Sequence, residues 1–307
     1  MNDLIIIGGG PAGVAAAVYA ARKQLNTVMI VAEFGGQSSV SPEIYNWIGT
    51  TAITGADLAK KLKEHAHEYE GDHLTIVTGQ KVTNLKSIDG GFQTTTEDGT
   101  MHHAKSILIA SGSGRRKLDI PGAEKFENRG VVYCASCDGP LFADQDVAVI
   151  GGGNAGFETA AQLLAYCKSV TLIHRSGEFK ADEITVSKVL ANDKMTSFKN
   201  STPTAVLGDK FVTGITYKDN ESGNETTLDV TGVFVEIGQI PNTHYATDMV
   251  DMTPYKQIRV DPKTQRTSQS GIWAAGDCSD GLYHQNNIAA GDAVKAIEDI
   301  YLYLHNQ

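Results

Sequence analysis

The feature that most constrains the fold is a strand, glycine turn and helix pattern that occurs twice, about 140 residues apart. In the first copy, the apolar run 4–7 leads into GGGPAG at 8–13 and then into a predicted helix over 14–22. In the second copy, residues 146–150 lead into GGGNAG at 151–156 and a predicted helix over 157–166. Both turns match the G-x-G-x-x-G pattern, in which the backbone approaches a pyrophosphate at the helix N-terminus. The chain is therefore predicted to bind two dinucleotides.

The remaining segments predict an α/β protein with two Rossmann-like, three-layer dinucleotide-binding domains, the second inserted in the first. Short alternating runs separated by glycine turns, over 74–109 and again over 200–231, are typical of small antiparallel meanders, one for each domain. The polar stretch 242–253 is the predicted return crossover. A buried strand at 271–277 and an amphipathic helix over 288–304 follow it.

The two strands that follow the glycine turns are succeeded by side chains of opposite charge. The first of these strands, 27–32, is followed by Glu33, whose carboxylate can accept hydrogen bonds from ribose hydroxyls. The second strand, 169–173, is followed by HRSGEFK at 174–180, where Arg175 and Lys180 carry positive charge. These two side chains form either a site for a ribose 2′-phosphate or a solvated basic turn.

Cys134 and Cys137, followed directly by Asp138, are the predicted redox centre. Two cysteines at this spacing can close a small disulfide ring, and a thiolate is favoured if the pair opens a helix. Asp138 is placed to move a proton. Half of a zinc site is the alternative, but a structural zinc site usually needs a second pair of ligands, and Cys167 and Cys278 are isolated. We therefore expect no metal site.

The charge balance limits the possible partners. The 307 residues include 36 acidic and 26 basic side chains, which give a net charge of −10 and exclude a broad basic surface for nucleic acid. No stretch approaches the roughly 20 apolar residues that span a bilayer, and the first residues lack the basic region of a secretory signal. We expect a cytoplasmic protein with no nucleic-acid or membrane partner.

Together, these motifs resemble those of the low-molecular-weight, bacterial-type thioredoxin reductases, which are FAD-dependent pyridine nucleotide disulfide oxidoreductases. The resemblance covers nearly the whole chain and rests on residues 8–13, 35–37, 134–139, 151–156 and 274–277, with Gln285. It implies an FAD-binding domain over 1–113 and 246–307, and an NAD(P)-binding domain over 114–245 that carries the dithiol. It also implies a homodimer.

The resemblance implies roles for individual residues. Cys137 would face the flavin, Cys134 would attack the disulfide of a thioredoxin-like protein, and Asp138 would be the acid/base. Asp277 would hold the FAD ribityl chain or pyrophosphate, and Gln285 would lie along the flavin ring. The predicted FAD contacts are Gly8, Gly10, Pro11, Ala12, Gly13, Glu33, Gly36, Gln37, Asn46, Ala110, Gly112, Gly276, Asp277, His284, Gln285 and Asn286. The predicted NAD(P)H contacts are Gly151, Gly153, Asn154, Ala155, Gly156, His174, Arg175 and Lys180.

Three segments depart from the pattern of the thioredoxin reductases. The family's NADPH-selecting His-Arg-Arg, with a further Arg four residues on, reads HRS at 174–176 and then Lys180, so both NADPH and NADH stay open as donors. The family's Arg-Gln-Ala near the flavin reads HQN at 284–286. The GPLF that follows Asp138 is similar to the flavoprotein that reduces alkyl hydroperoxide peroxiredoxins, an enzyme type that commonly uses NADH.

The sequence thus predicts a disulfide reductase that passes electrons from NAD(P)H through FAD and the Cys134/Cys137 disulfide to thioredoxin or a thioredoxin-like protein. Three alternatives stay open. The donor could be reduced ferredoxin or a flavin carrier in place of NAD(P)H. The chemistry could also run backwards, as a dithiol oxidase that acts on a small metabolite and passes electrons to oxygen. Finally, the chain could be a flavin-binding sensor without turnover.

Overall fold

The computed structural model of the protein describes residues 1–41 and 43–306. The helices are α1 Pro11–Arg22, α2 Gly55–Glu68, α3 Ala135–Asp138, α4 Asn154–Leu163, α5 Glu183–Leu190 and α6 Asn286–His305. The strands are β1 Asn2–Gly9, β2 Thr27–Phe34, β3 Leu74–Thr78, β4 Val82–Ile88, β5 Gly91–Thr96, β6 Met101–Ile109, β7 Ser113–Arg115, β8 Val131–Val132, β9 Asp146–Ile150, β10 Ser169–Ile173, β11 Met195–Phe198, β12 Ser201–Gly208, β13 Val212–Asp219, β14 Glu225–Leu228, β15 Gly232–Val235, β16 Gln239–Pro241 and β17 Ile272–Ala274. Short 3-10 helices lie at Gly36–Val40, Gly139–Phe142 and His244–Ala246.

The described chain divides into two compact units. Unit 1 comprises residues 1–40, 47–114 and 240–306, and unit 2 comprises 41, 43–46 and 115–239. Unit 1 resumes at residue 240, whereas the predicted domain resumes at 246. Which dinucleotide each unit binds stays a prediction.

Unit 1 is built on a seven-stranded sheet. The neighbours β3, β2, β1 and β6 pair in parallel, and β17 also pairs in parallel with β6. Antiparallel strands β5 and β4 continue the same sheet from β6. The apolar run at 4–7 lies buried within β1, as expected for a central parallel strand with both faces covered. Helices α1 and α6 pack against each other in this unit.

Unit 2 has three layers around a five-stranded parallel sheet with the order β11-β10-β9-β15-β8. The antiparallel meander β12-β13-β14 supplies Val206 and Ile215, which pack in one core cluster with Ile150 and Val233 of the sheet. A second cluster joins other sheet residues to the helices and includes the fully buried Phe157 of α4. The fold class predicted from the sequence, two α/β units that each contain a parallel sheet and an antiparallel meander, is confirmed.

One strand assignment needs correction. Residues 74–78 were expected in the first meander, but they form β3, which pairs in parallel with β2 at the edge of the main sheet. As an edge strand, β3 is buried fully only at Leu74, so its short sequence lacks the continuous apolar run of a central parallel strand. In the part of the chain that the structure describes, none of the helices combines the length and apolarity needed to cross a membrane.

Candidate active site and dinucleotide sites

The first glycine turn leaves an open surface where α1 begins. A Cβ on Gly8, which has a φ of 128°, would lie 2.1 Å from the carbonyl oxygen of Ala110. A Cβ on Gly13 would lie 1.9 Å from the carbonyl oxygen of Gly8, so close packing requires glycine at both positions. At Gly10, by contrast, the nearest atom to an added Cβ is the Cα of Gly36, 3.8 Å away. This open side fits a phosphate group that approaches the backbone at the helix N-terminus.

The end of β2 lies against the same turn. A Cβ on Gly9 would lie 2.6 Å from the carbonyl oxygen of Glu33, and the backbone N–H of Gly35 donates to the carbonyl of Gly9 at 2.9 Å. The side chain of Glu33 is exposed. The structure therefore places the backbone of Glu33 beside the turn, at the end of the strand where a carboxylate can bind the ribose of a dinucleotide.

Asp277 is the acidic group in a polar cluster of unit 1. The side-chain amide of Gln37 donates to its carboxylate at 3.4 Å and to the hydroxyl of Ser113 at 2.9 Å. The Nδ1 atom of His284 lies 3.4 Å from the other carboxylate oxygen. These contacts bring together three of the predicted FAD contacts, which come from widely separated parts of the sequence.

The start of α6 lies close to the same cluster. A Cβ on Gly276 would lie 3.1 Å from Ala289 on α6 and 3.4 Å from Ala12 on α1, so the two helices converge beside Asp277. The hydroxyl of Ser38 donates to the side-chain oxygen of Asn286 at 3.0 Å. Gln285 is the residue that precedes α6, and it is half-buried. Asn46, also a predicted FAD contact, belongs to unit 2.

The second glycine turn, in unit 2, repeats the geometry of the first. A Cβ on Gly151, with a φ of 125°, would lie 2.1 Å from the carbonyl oxygen of Glu236, and one on Gly156 would lie 1.9 Å from the carbonyl oxygen of Gly151. No described atom lies within 4 Å of a Cβ added to Gly153. The turn is therefore tight where it packs and open where α4 begins, which fits a second pyrophosphate. Asn154 opens the helix, and its side-chain oxygen accepts a hydrogen bond from the backbone N–H of Asp182 at 2.9 Å.

His174 supports this turn from within unit 2. The backbone N–H of Gly152 donates to its Nδ1 at 3.1 Å, so the proton lies on Nε2, which donates to the carbonyl of Glu178 at 2.9 Å. The residue is 7% exposed, and burial lowers the pKa of the imidazole. His174 therefore holds the turn as a neutral ring whose two nitrogens both bind backbone groups.

Arg175 and Lys180 both have exposed side chains at this edge of unit 2. The backbone N–H of Lys180 donates to the carbonyl of Gly152 at 2.8 Å, and Lys180 also forms a β-bridge with Gly153. The carbonyl of Arg175 accepts a hydrogen bond from the side chain of Asn220 at 3.1 Å. The backbone of this segment is thus tied to the turn at Lys180, while its two cations face solvent.

The predicted dithiol forms a disulfide at the start of α3. Cys134 and Cys137 are bonded, with their Cα atoms 5.3 Å apart. Cys134 caps α3 and is half-buried, whereas Cys137 is 9% exposed. The hydroxyl of Ser136 donates to the side-chain oxygen of Gln162 at 3.1 Å and so ties α3 to α4. Cys134 is therefore the more accessible residue of the pair, and Cys137 is buried.

Asp138 is the acid of this site. The residue is 5% exposed, and its Oδ1 atom is buried without a hydrogen-bond partner among the described residues. Burial raises the pKa of the carboxyl to about 6, although the positive charge of Arg115 lowers it in part. A carboxyl that titrates near neutrality can both accept and return a proton, which suits an acid/base beside a dithiol.

Two charged residues of unit 2 were not identified from the sequence. Arg115 lies on β7 and acts electrostatically on both Asp138 and Glu236. Glu236 follows β15 directly, so the criterion that singled out Glu33, a carboxylate at the end of a strand beside a glycine turn, would have found it. No sequence signal marks Arg115. Within residues 1–41 and 43–306, no group of three or more His, Cys, Asp or Glu side chains is arranged to hold a metal ion.

Two dinucleotide turns together with an exchangeable disulfide define a nucleotide-dependent thiol oxidoreductase. Comparison with known proteins agrees: the profile of the pyridine nucleotide-disulphide oxidoreductase family matches residues 2–293. The chain belongs to this family, and membership implies the use of a flavin and a pyridine nucleotide.

Individual proteins in the comparison differ in length. The chain is 39% identical over 302 residues to a protein of Bacillus subtilis (strain 168) named NADH dehydrogenase, and the match covers 98% of this chain and 58% of that protein. It is 38% identical to a subunit of the alkyl hydroperoxide reductase of Staphylococcus aureus (strain NCTC 8325 / PS 47), over 98% of this chain and 59% of the relative. The chain thus spans less than two thirds of the length of these curated relatives. The crystal structure of thioredoxin reductase from Streptococcus pyogenes MGAS5005 matches 100% of this chain and 99% of its own, with 34% identity and a TM-score of 0.90.

Proposed function

We propose that the protein is a flavoprotein disulfide reductase that passes electrons from NAD(P)H through FAD and the Cys134/Cys137 disulfide to thioredoxin or a thioredoxin-like protein. The observation that carries the proposal is the disulfide itself, which joins the half-buried Cys134 to the buried Cys137, directly before the acid Asp138. The same unit contains the second glycine turn. The 34% identity to a thioredoxin reductase over the whole chain supports a protein disulfide as the acceptor.

Unit 1 is proposed to hold FAD, and unit 2 the pyridine nucleotide. The open side of the turn at Gly10, with Glu33 and the cluster around Asp277, would bind the FAD pyrophosphate, ribose and ribityl chain. The open side at Gly153 would bind the pyrophosphate of NAD(P)H. When bound, FAD would supply the two-electron chemistry that links the reduced nucleotide to the protein disulfide.

The reduced dithiol then transfers its electrons by thiol–disulfide exchange. The Cys134 thiolate attacks one sulfur of the partner disulfide, which forms a mixed disulfide and releases one partner thiolate. The Cys137 thiolate then attacks Cys134, which re-forms the Cys134–Cys137 disulfide and releases the second partner thiolate. Over both steps the dithiol loses two electrons and the partner disulfide gains them. The accessible position of Cys134 and the enclosed position of Cys137 support this order.

Asp138 accepts and donates protons during this exchange. Its carboxylate can accept the proton of a thiol as a thiolate forms, and its carboxyl can return the proton to the departing partner sulfur. A pKa raised to about 6 by burial keeps both forms accessible near neutral pH. The charge of Arg115 opposes complete protonation.

Two observations support different pyridine nucleotide donors. The curated relative of Bacillus subtilis is named NADH dehydrogenase, which supports NADH. The cations Arg175 and Lys180 beside the second turn support NADPH, because they can pair with a ribose 2′-phosphate. We propose one of these two nucleotides as the donor.

We further propose a cytoplasmic homodimer. A disulfide that cycles between thiol and disulfide forms is typical of a reducing compartment. Leu282 and Tyr283, two neighbouring large side chains of unit 1, are 86% and 66% exposed, which supports a protein surface as their partner. Light scattering coupled to gel filtration would give the mass of the assembly.

The proposed function is tested by anaerobic titration of the purified protein with NADH and, separately, NADPH, followed by addition of an oxidised thioredoxin. We expect one nucleotide to bleach the flavin absorbance band at about 450 nm. Thiols of thioredoxin should then appear in proportion to the nucleotide consumed. If neither nucleotide bleaches the flavin while dithionite does, the electrons come from another donor such as reduced ferredoxin. Peroxide release with a small dithiol, and no activity on thioredoxin, would identify a dithiol oxidase.

A further inference from the structure

Glu236 is a half-buried carboxyl at the end of β15, directly beside the second glycine turn. The backbone N–H of Glu236 donates to the carbonyl of Ile150 at 2.8 Å, and a Cβ on Gly151 would lie 2.1 Å from the carbonyl oxygen of Glu236. These contacts fix the backbone at residue 236 against the turn. The proposed disulfide exchange does not use this carboxyl.

The side chain of Glu236 is held by α4. The hydroxyl of Thr159 donates to Oε1 of Glu236 at 2.8 Å, and this is the hydrogen bond that its carboxyl makes within residues 1–41 and 43–306. Thr159 is buried. The charged groups that act on the carboxyl are Arg115 on β7 and Glu158 on α4. The carboxyl therefore bridges the end of β15 and the helix that begins at the glycine turn.

The sheet order shows why this position matters. β9 lies between β10 and β15, and the chain passes from β9 through α4 to β10, so the order of strands reverses between β9 and β15. In open α/β sheets, ligands bind in the crevice at such a switch point, outside the carboxyl ends of the strands. Arg175 and Lys180, which follow β10, mark the side of the adenosine ribose. With the pyrophosphate at Gly153, the nicotinamide half of the nucleotide extends to the β15 side, where Glu236 lies.

We propose that Glu236 belongs to the nicotinamide side of the pyridine nucleotide site and that its charge favours the oxidised nucleotide over the reduced one. This inference rests on the proposed function. The oxidised nicotinamide ring carries a positive charge and the reduced ring is neutral, so a nearby carboxylate attracts only the oxidised form. Release of the oxidised product is then slower when Glu236 is ionised and faster when it is protonated.

The electrostatic surroundings of Glu236 place the ionisation of its carboxyl within the physiological pH range. Burial raises the pKa of Glu236 to about 7, and the charge of Glu158 adds to the rise. The Thr159 hydrogen bond and the charge of Arg115 lower the pKa. By linkage, binding of the oxidised nucleotide near pH 7 should lower the pKa of Glu236 and release a fraction of a proton.

The test is equilibrium binding to the flavin-loaded protein, measured by calorimetry at pH 6 and pH 8. The ligands are NAD⁺ or NADP⁺, whichever matches the donor, and the corresponding 1,4,5,6-tetrahydro nucleotide, whose neutral ring cannot donate a hydride. We expect the preference of the wild-type protein for the oxidised ligand to rise by about fivefold from pH 6 to pH 8. Calorimetry in buffers of different ionisation enthalpy should detect proton release near pH 7.

Glu236→Gln is the informative variant, because its amide oxygen can still accept the hydrogen bond from Thr159. The preference of this variant for the oxidised ligand should be the same at pH 6 and pH 8, and binding should release no proton. Glu225→Gln, an exposed substitution on β14, is the matched control and should behave as the wild type. In a second variant, Thr159→Val, the hydrogen bond that lowers the pKa is lost, so the change in preference should move to higher pH.

The outcomes separate this inference from the proposed function. A wild-type preference that does not change with pH, or a Glu236→Gln variant that keeps the full change, overturns the role of Glu236 while the reductase proposal stands. If the wild-type protein binds none of these nucleotides at either pH, the proposed donor fails, and the role of Glu236 fails with it.

Discussion

The backbone N–H of Cys137 donates a hydrogen bond to Sγ of Cys134, 3.2 Å away. Because Cys134 caps α3, this N–H lies in the first turn of the helix, and it also donates to the carbonyl of Cys134 at 3.3 Å. An N–H directed at sulfur stabilises the thiolate once the disulfide opens. Cys134 is therefore both the more accessible residue of the pair and the one whose anion the backbone supports, which makes the pair functionally asymmetric.

This asymmetry predicts the fate of a trapped intermediate. Cys137→Ser removes the thiol that resolves the mixed disulfide, so we expect Cys134 to stay bonded to an oxidised thioredoxin. Non-reducing electrophoresis and mass spectrometry of the intact protein should show a one-to-one adduct. Dithiothreitol should reduce this adduct and separate the two proteins. Cys134→Ser should give no adduct, and Cys167→Ala, a buried cysteine outside the site, should give the wild-type result. An adduct that forms with Cys134→Ser instead would reverse the assigned roles.

The two open glycines predict selective loss of one cofactor. Gly10 and Gly153 both have an extended backbone that alanine tolerates, and an added Cβ has room at each. Gly10→Ala should weaken FAD binding, and Gly153→Ala should weaken pyridine nucleotide binding, each by at least about tenfold, or about 1.4 kcal/mol. Flavin absorbance of the purified protein and nucleotide titration give the two readouts.

Controls for these variants come from other glycines. Gly71→Ala also adds a Cβ in open space, at an exposed position, and should leave both cofactors bound. Gly156→Ala should fail to fold normally, because its Cβ would lie 1.9 Å from the carbonyl oxygen of Gly151. If Gly10→Ala lost pyridine nucleotide and kept flavin, the assignment of the two units would have to be exchanged.

Asp138→Asn tests the proton transfer. General acid–base catalysis contributes about 10²–10⁴-fold, so we expect thioredoxin reduction at neutral pH to fall by about 10²-fold. The wild-type rate should show an inflection near pH 6, where burial places the pKa of Asp138, and the variant should lack it. Asp144→Asn, at an exposed position of unit 2, is the matched control. Retention of the inflection in Asp138→Asn would assign it to another group.

Local sequence patterns were sufficient for the parts of the site that lie within one strand, turn and helix. The geometry of both glycine turns and the pairing of the two cysteines could be predicted, because the spacing along the chain determines them, whereas the role of Glu33 stays a prediction. The polar cluster at Asp277 required the resemblance to a family, since Gln37 and His284 reach it from distant segments.

Other features depended on tertiary packing that no local pattern encodes. His174 was expected to contact the nucleotide, yet the fold buries its ring and uses both nitrogens to hold the turn and the segment that follows. The influence of Arg115 on Asp138 depends on these two residues of unit 2 lying near each other in space. The parallel pairing of β3 could not be distinguished from a meander, because a short edge strand lacks the continuous apolar run of a central parallel strand.

Buried Asp138 should also make the stability of the protein depend on pH. The folded-state pKa is raised from 3.8 to about 6, so the folded protein binds this proton more tightly than the unfolded chain. Below about pH 4 the carboxyl is protonated in both states and has no effect on stability. As the pH rises from about 4 to about 6, only the unfolded chain ionises, and the free energy of unfolding falls. Above about 6 the loss is complete and amounts to no more than about 3 kcal/mol.

Asp138→Asn removes this ionisation, so its melting temperature relative to that of the wild type should rise between about pH 4 and pH 6 and then stay constant. Differential scanning calorimetry at four pH values from about 4.5 to 7.5 measures the difference. Asp144→Asn, whose carboxyl is exposed, should show no such trend. A constant difference between Asp138→Asn and the wild type over this range would mean that burial does not raise the pKa of Asp138, and the acid/base role would lose its physical basis.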